Sequence, residues 1–473
     1  MSTHNSYDPE KQENTPYSNS GKDNNYAVEV APANGQAVTH DAVFGDMSEG
    51  GPNYRSLGMV GAFVLMTKAN VGLGVLSIPF VFMVVGMVPG IILLIVMNLI
   101  ILYCALVIGD FKANHPEMYA IADAGFIIGG KIGREYFGIA FLLFMIFVAG
   151  AGMVGVSVAL NAVSTHGACT AIFIFVAALA GILCASIRTL GKVAWLGWVG
   201  LVSILLAILI LTIAVGIQDR PFAAPKTGPW DKDIHIIVSA TFSHAMAAVN
   251  DVVFAFAATP AYFGIISEMR DHRQYKKAMV SSMLFVLVLY LVLGSVVYYF
   301  CGQYVSSPAL GSAGKLMKQV CYGVAIPALL VTLTIYGHLA AKYFFVRILA
   351  GTEDLSKPTR RHWTVWLCSV AGTISVAYLI ASAIPIFGNL ISLIGALIGP
   401  SVCIIPYTLM WWHDNWRFKE ASQRNVFAAA FNAVLLLLGI FVTIGGTYAA
   451  VDIIAHDKSR NKPFSCADNS HSV

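Results

Sequence analysis

The chain has 473 residues, of which 57% are apolar and 11% charged, against roughly 25% charged in an ordinary soluble domain. So much apolar surface cannot be hidden in a core wrapped by so few charges, which excludes a water-soluble globule. The formal charge of +4 comes from 29 Lys and Arg and 25 Asp and Glu scattered along the chain, giving no basic stripe for nucleic acid. The 8 cysteines lie mostly in apolar runs, without CxxC pairs or zinc-type His spacing, so neither a disulfide scaffold nor a metal site is indicated. What remains is an all-α polytopic membrane protein whose surroundings are the lipid bilayer.

Residues 1–55 contain no Leu or Ile and carry eight acids against three bases among Asn, Ser, Gly and Pro. Such a composition cannot bury enough surface to fold alone, so the segment is read as a disordered N-terminal tail. It lacks the short apolar stretch of a signal peptide, and the first span is expected to target the chain. From Leu57 onward the charges cluster and leave long uncharged runs. A spanning helix needs about 20 apolar residues, so the 52-residue runs at 136–187 and 362–413 each hold two helices and a turn. The spans read 57–84, 88–111, 136–162, 168–187, 193–216, 236–267, 279–302, 323–347, 363–384, 388–411 and 425–450, eleven transmembrane helices in all. A cytoplasmic N-terminus puts 17 Lys and Arg on the cytoplasmic flanks and 8 outside, the retained-positive bias of membrane insertion. The expectation is therefore a cytoplasmic tail at 1–55, a transmembrane domain at 56–451 and a short external tail at 452–473.

The first span reads MTKANVGLGVLSIPF, where Gly72, Gly74 and Pro79 weaken a helix near mid-bilayer. The sixth reads NDVVFAFAATPAYFG, with Pro260 and Gly264 at similar depth. Both are long and lie five spans apart. Matched interruptions in two halves point to an inverted repeat with a substrate site at its interface; a packing role of the small residues is the alternative for any single Gly. The run GAGMVG at Gly150–Gly155 sits inside an apolar span rather than after a strand, so it is a small-residue helix face, not a dinucleotide loop.

An interrupted helix can read both ends of an amino acid with backbone alone. The amides of Val71, Gly72, Leu73, Gly74 and Val75 open an outer half-helix whose positive dipole end suits a carboxylate. Carbonyls freed near Phe254, Ala255, Phe256 and Ala257, with those before Gly72, suit an ammonium. Asn70 and Thr259 complete the candidate set, and side-chain selection falls to apolar residues of helices 3, 6 and 8. Charges inside the spans are few. Lys68 is either a structural partner of the interrupted backbone or a fixed positive charge standing in for a coupling cation. Asp251 is either a packing acid facing the external vestibule or a proton acceptor. Glu268 closes the sixth span at the cytoplasmic face, as a gate paired with Arg270 or Lys342 or as a solvated end. His244 and His338 read as ordinary hydrogen-bonding imidazoles, and Cys301 and Cys321 flank an external loop where a disulfide is possible. The absence of HExxH, GxSxG or paired-carboxylate constellations argues against an enzyme.

Three stretches carry a resemblance: Lys68 to Pro79 in the first span, Val253 to Met279 in the sixth, and Asn389 to Pro406 in the tenth. They resemble the amino acid/auxin permease family over nearly all of 50–450, most nearly fungal neutral amino acid permeases of the methyltryptophan-resistance type. The resemblance implies the inverted five-helix repeat of leucine-type transporters, with broken helices 1 and 6. Repeat one would then span about 57–216 and repeat two about 236–411, with an extra helix at about 425–450. It implies a symporter importing neutral aliphatic and aromatic amino acids, with protons as the coupling ion and no cofactor. The plasma membrane is the implied location; a vacuolar transporter, or an amino acid sensor with the same fold, is the alternative. One departure stands out. Where such fungal members carry FAFAGHP, this chain has Phe254 to Pro260 as FAFAATP, which removes a titratable imidazole and a Gly at the break.

Overall fold

The computed structural model describes residues 27–30, 38–41, 45–48 and 57–470, apart from 188–189, 350–351, 353, 355–358, 418–419 and 457–462. Two units are distinct, Met1–Asn53 and Tyr54–Val473. The disordered-tail reading of 1–55 falls mostly outside the described residues; within the first unit three four-residue strands, Ala27–Val30, Val38–Asp41 and Gly45–Ser48, pair as an antiparallel meander.

The second unit is helical. Among the described residues, eight helices are long and apolar enough to cross a membrane, and two bent helix pairs bring the number to as many as 10. The helix Thr170–Ala185, where the fourth span is expected, is apolar but only 16 residues long, so the eleven-span reading is not confirmed as a count. Side chains such as Ile172 and Phe175 on this helix, and Val434, Leu437 and Ile444 on Val426–His456, stay exposed, as expected for faces turned to lipid tails.

The first span breaks between Met59–Asn70 and Gly74–Val85 and bends by 52°. The tenth, expected to be an ordinary helix, breaks between Phe387–Leu397 and Gly399–Arg417 and bends by 53°. The sixth is interrupted at Phe256–Ala258, between Phe242–Ala255 and Thr259–Glu268, without a bend of that size. Each restart has a proline in its first turn, at Pro79, Pro260, Pro400 and Pro406, where its missing N–H breaks no helical bond. In the sequence, the length of the tenth span's apolar run masks the effect of its two prolines.

The Leu57 N–H donates to the Glu268 carbonyl at 3.1 Å and the Arg270 N–H to the Leu57 carbonyl at 2.9 Å, tying the start of the first span to the end of the sixth. At the opposite end, Gly86 turns the chain between the first two spans with φ +93°, and a Cβ there would meet Ile236 and Ile237 backbone at 2.8 Å. Only glycine fits both constraints.

The cysteine expectation is corrected. Cys301 and Cys321 are free and buried, and the disulfide joins Cys169 to Cys466. Residues 463–470 do not trail from the last helix but dock on one end of the third, fourth, eighth and ninth spans. Thr170 Oγ1 donates to the Ala467 carbonyl, Asn469 Nδ2 to Ser157 Oγ, Lys318 Nζ to the Ser470 carbonyl and the Phe464 N–H to the Ser382 carbonyl. The bridge puts the turn after the third span and the C-terminal segment on one side of the membrane, and disulfides persist on the oxidising side.

Candidate functional site

The two interruptions predicted from sequence meet in the protein's interior. A Cβ on Gly74 would lie 2.4 Å from the Ala255 Cα, so the first break packs directly on the sixth, and even alanine there collides with backbone. Gly72 has nothing within 4 Å of its Cβ position and faces open space. That space is a cavity of about 30 Å³, lined by Lys68, Asn70, Gly72, Leu73, Gly74, Phe254 and Ala257 together with Phe144, Val148, Thr332 and Tyr336. It holds about one or two waters and is far below the several hundred Å³ of a ligand pocket. The protein is therefore closed around this point.

Of the remaining candidate residues, Val71, Val75, Ala255, Phe256 and Thr259 are buried beside the cavity without lining it. The donor set is narrower than the sequence predicts. The Val71 and Gly72 amides are taken by the carbonyls of Thr67 and Asn70, leaving Leu73 and Gly74 at the mouth of the outer half-helix. Phe256 packs its ring on Tyr290 at 5.1 Å, and Thr259 Oγ1 donates to the Val402 carbonyl of the broken tenth span.

Lys68 is buried, and its Nζ reaches the Val71 carbonyl and Thr332 Oγ1, each at 3.4 Å, bridging the first break to the eighth span. Asn70 Nδ2 donates to the Met66 carbonyl at 3.0 Å and to the Tyr262 hydroxyl at 2.7 Å, while its Oδ1 is buried without a partner. Sequence reasoning misses Tyr290. Its hydroxyl lies 2.9 Å from the carbonyl oxygens of both Asn70 and Ala255, one on each break. Nothing in a tyrosine of an apolar seventh span signals that contact, because it depends on how three spans pack.

Asp251 lies one helical turn outward of Phe254, only 4% exposed, with Oδ1 buried and unpartnered. It lines a separate cavity of about 670 Å³ formed with Phe80, His244, Ser307, Asn389, Asp452 and His456. Glu268 offers its backbone carbonyl to Leu57. Among the described residues its carboxylate closes no ion pair, although the Lys342 charge is near enough to act on it. His338 Nδ1 lies 3.3 Å from the Ala185 carbonyl and its ring meets Trp366, in keeping with a packed imidazole.

Residues 55–452 match the family model described as transmembrane amino acid transporter protein. The chain belongs to the transmembrane amino acid transporter family. It is 33% identical over 463 residues to a transmembrane transporter of Gibberella moniliformis, covering 96% of this chain and 97% of that one. It is 32% identical to the N amino acid transport system protein of Neurospora crassa, over 89% of this chain and 91% of the relative. Among solved structures it resembles a Na+-coupled sialic acid symporter with a TM-score of 0.50 at 13% identity, covering 84% of this chain and 91% of that one, a likeness of fold alone. The transporter is thus a membrane carrier and not an enzyme.

Proposed function

We propose that this transporter is a proton-coupled symporter that imports neutral aliphatic and aromatic amino acids across the plasma membrane. The observation that carries the coupling is the seat of Lys68. Its ammonium donates to a backbone carbonyl and a threonine hydroxyl, the kind of oxygens that would otherwise coordinate a sodium ion, and so places a tethered positive charge where a mobile one would bind. Asp251, unpartnered at the floor of the larger cavity, is then the proton acceptor, reached by water from outside and one turn from the substrate cavity. The substrate's carboxylate meets the Leu73 and Gly74 amides, and Phe144, Val148, Phe254 and Tyr336 form an apolar and aromatic wall that favours side chains without charge. The family match and the amino acid transport system relative support the substrate class.

Uptake of labelled amino acids, with and without a protonophore and with sodium replaced by choline at constant pH, tests this reading. Uptake should persist without sodium, fall as external pH rises and be electrogenic, driven by about 2.3 kcal/mol per 100 mV for each charge moved. Loss of uptake in choline would reject the ion assignment. Binding without net flux would favour a sensor instead.

A further inference from the structure

The cytoplasmic ends of the second and tenth spans meet in a cluster that the transport chemistry leaves unused. His115 caps the end of the helix Met87–Asn114, and His413 and Asp414 begin the π-helical turn His413–Arg417 at the end of the tenth span. His115 Nε2 lies 3.0 Å and His413 Nδ1 2.9 Å from the same oxygen, Asp414 Oδ1, and ligand atoms of all three residues lie within 4.8 Å of one another. The other carboxylate oxygen accepts from Asn114 Nδ2 at 2.8 Å. Phe111, buried, holds both imidazoles, with ring centroids 4.4 Å from His115 and 5.9 Å from His413.

We propose that His115, His413 and Asp414 form a zinc site that joins the second and tenth spans at the cytoplasmic face. Two imidazole nitrogens and one carboxylate oxygen are a zinc ligand set, with the fourth tetrahedral position left to water. Glu117 Oε1 lies 4.0 Å from the other ring nitrogen, His115 Nδ1. Zinc bonds of about 2.0–2.2 Å put neighbouring ligand atoms roughly 3.3 Å apart around a tetrahedron. The two imidazole-to-carboxylate distances therefore need to grow by only a few tenths of an ångström, with the imidazoles drawing in around the ion. Asn114 orients the carboxylate and Phe111 sets the ring planes, the outer supports on which metal ligands depend. The nitrogen content of the set disfavours magnesium and calcium, which take oxygen donors. Because His115 and Asp414 are 299 residues apart in sequence, bound zinc ties together spans from the two halves and slows any step of the cycle that separates them.

The test uses purified full-length transporter in detergent, with any affinity tag removed and the exposed free thiol eliminated as Cys368→Ser. Zinc chloride should raise the thermal unfolding temperature, EDTA should reverse the rise and magnesium should not reproduce it. Competition against a chromophoric chelator should give one zinc per chain. Asn114→Ala should weaken binding about 10- to 100-fold, and the double variant His115→Asn/His413→Asn by more than that, the zinc-induced rise of each variant being read against its own zinc-free unfolding temperature. A second readout does not depend on the variants folding: cobalt(II) bound to the wild type should give the intense visible bands of tetrahedral nitrogen and oxygen ligation. Equal stabilisation of wild type and double variant by zinc, no stoichiometric binding, or an octahedral cobalt spectrum would each overturn the assignment and leave the cluster as a set of hydrogen bonds.

Discussion

Replacing Tyr290 with Phe removes one oxygen from a fully buried side chain and tests whether its hydroxyl holds the two breaks together. The ring stays packed on Phe256, so no sizeable cavity opens. The Asn70 carbonyl keeps the Gly72 N–H as a partner at 2.9 Å. The Ala255 carbonyl does not: among the described hydrogen bonds outside regular helix, Tyr290 is its partner. Leaving one buried carbonyl unpaired costs about 1–3 kcal/mol. That cost falls on the closed state with its cavity of about 30 Å³, and not on states in which water or substrate reaches the carbonyl. The equilibrium should therefore move toward opened states by roughly 5- to 150-fold. Two assays read this. Thermal unfolding in detergent should occur at a lower temperature without substrate, and the gap to wild type should narrow when a transported amino acid supplies its ammonium to the freed carbonyl. Uptake at equal surface expression should show a changed KM. If the Phe variant matches wild type in both unfolding and KM, the Tyr290 hydroxyl does not hold the breaks together and does not stabilise the closed state.

Three further outcomes are expected. Gly74→Ala should already impair folding or membrane delivery, because its Cβ lands on Ala255 backbone, whereas Gly72→Leu should reach the membrane and lose transport by filling the cavity; surface labelling with uptake separates the two, and normal uptake by Gly72→Leu would displace the site. Asp251→Asn should keep exchange of internal for external substrate but lose concentrative uptake, and Lys68→Ala should lose both or become responsive to sodium; proton-driven accumulation by Asp251→Asn would remove Asp251 from the coupling. Cys466→Ser should lower the unfolding temperature and make the C-terminal segment cleavable by external protease on intact cells, and protection from external protease would contradict the assigned side.

Much of this protein is written in its sequence because a membrane reduces folding to a demand that sequence states directly. Each crossing must be a run of apolar residues with its backbone bonds satisfied internally, so the long uncharged runs and the Gly and Pro residues at 72, 74, 79 and 260 are enough to mark helices and the two interruptions. Family membership follows from the same stretches. What tertiary structure alone decides are facts about distance between segments far apart in the chain. The break in the tenth span, the Tyr290 hydroxyl between Asn70 and Ala255, the reach of Lys68 to Thr332, the pairing of Cys169 with Cys466 rather than Cys301 with Cys321, and the convergence of His115 with His413 and Asp414 all have this character. Local composition reports whether a segment prefers lipid to water, which is a property of each residue. Which polar groups meet inside depends on the rotation and bend of whole helices against one another, and no single segment carries that information.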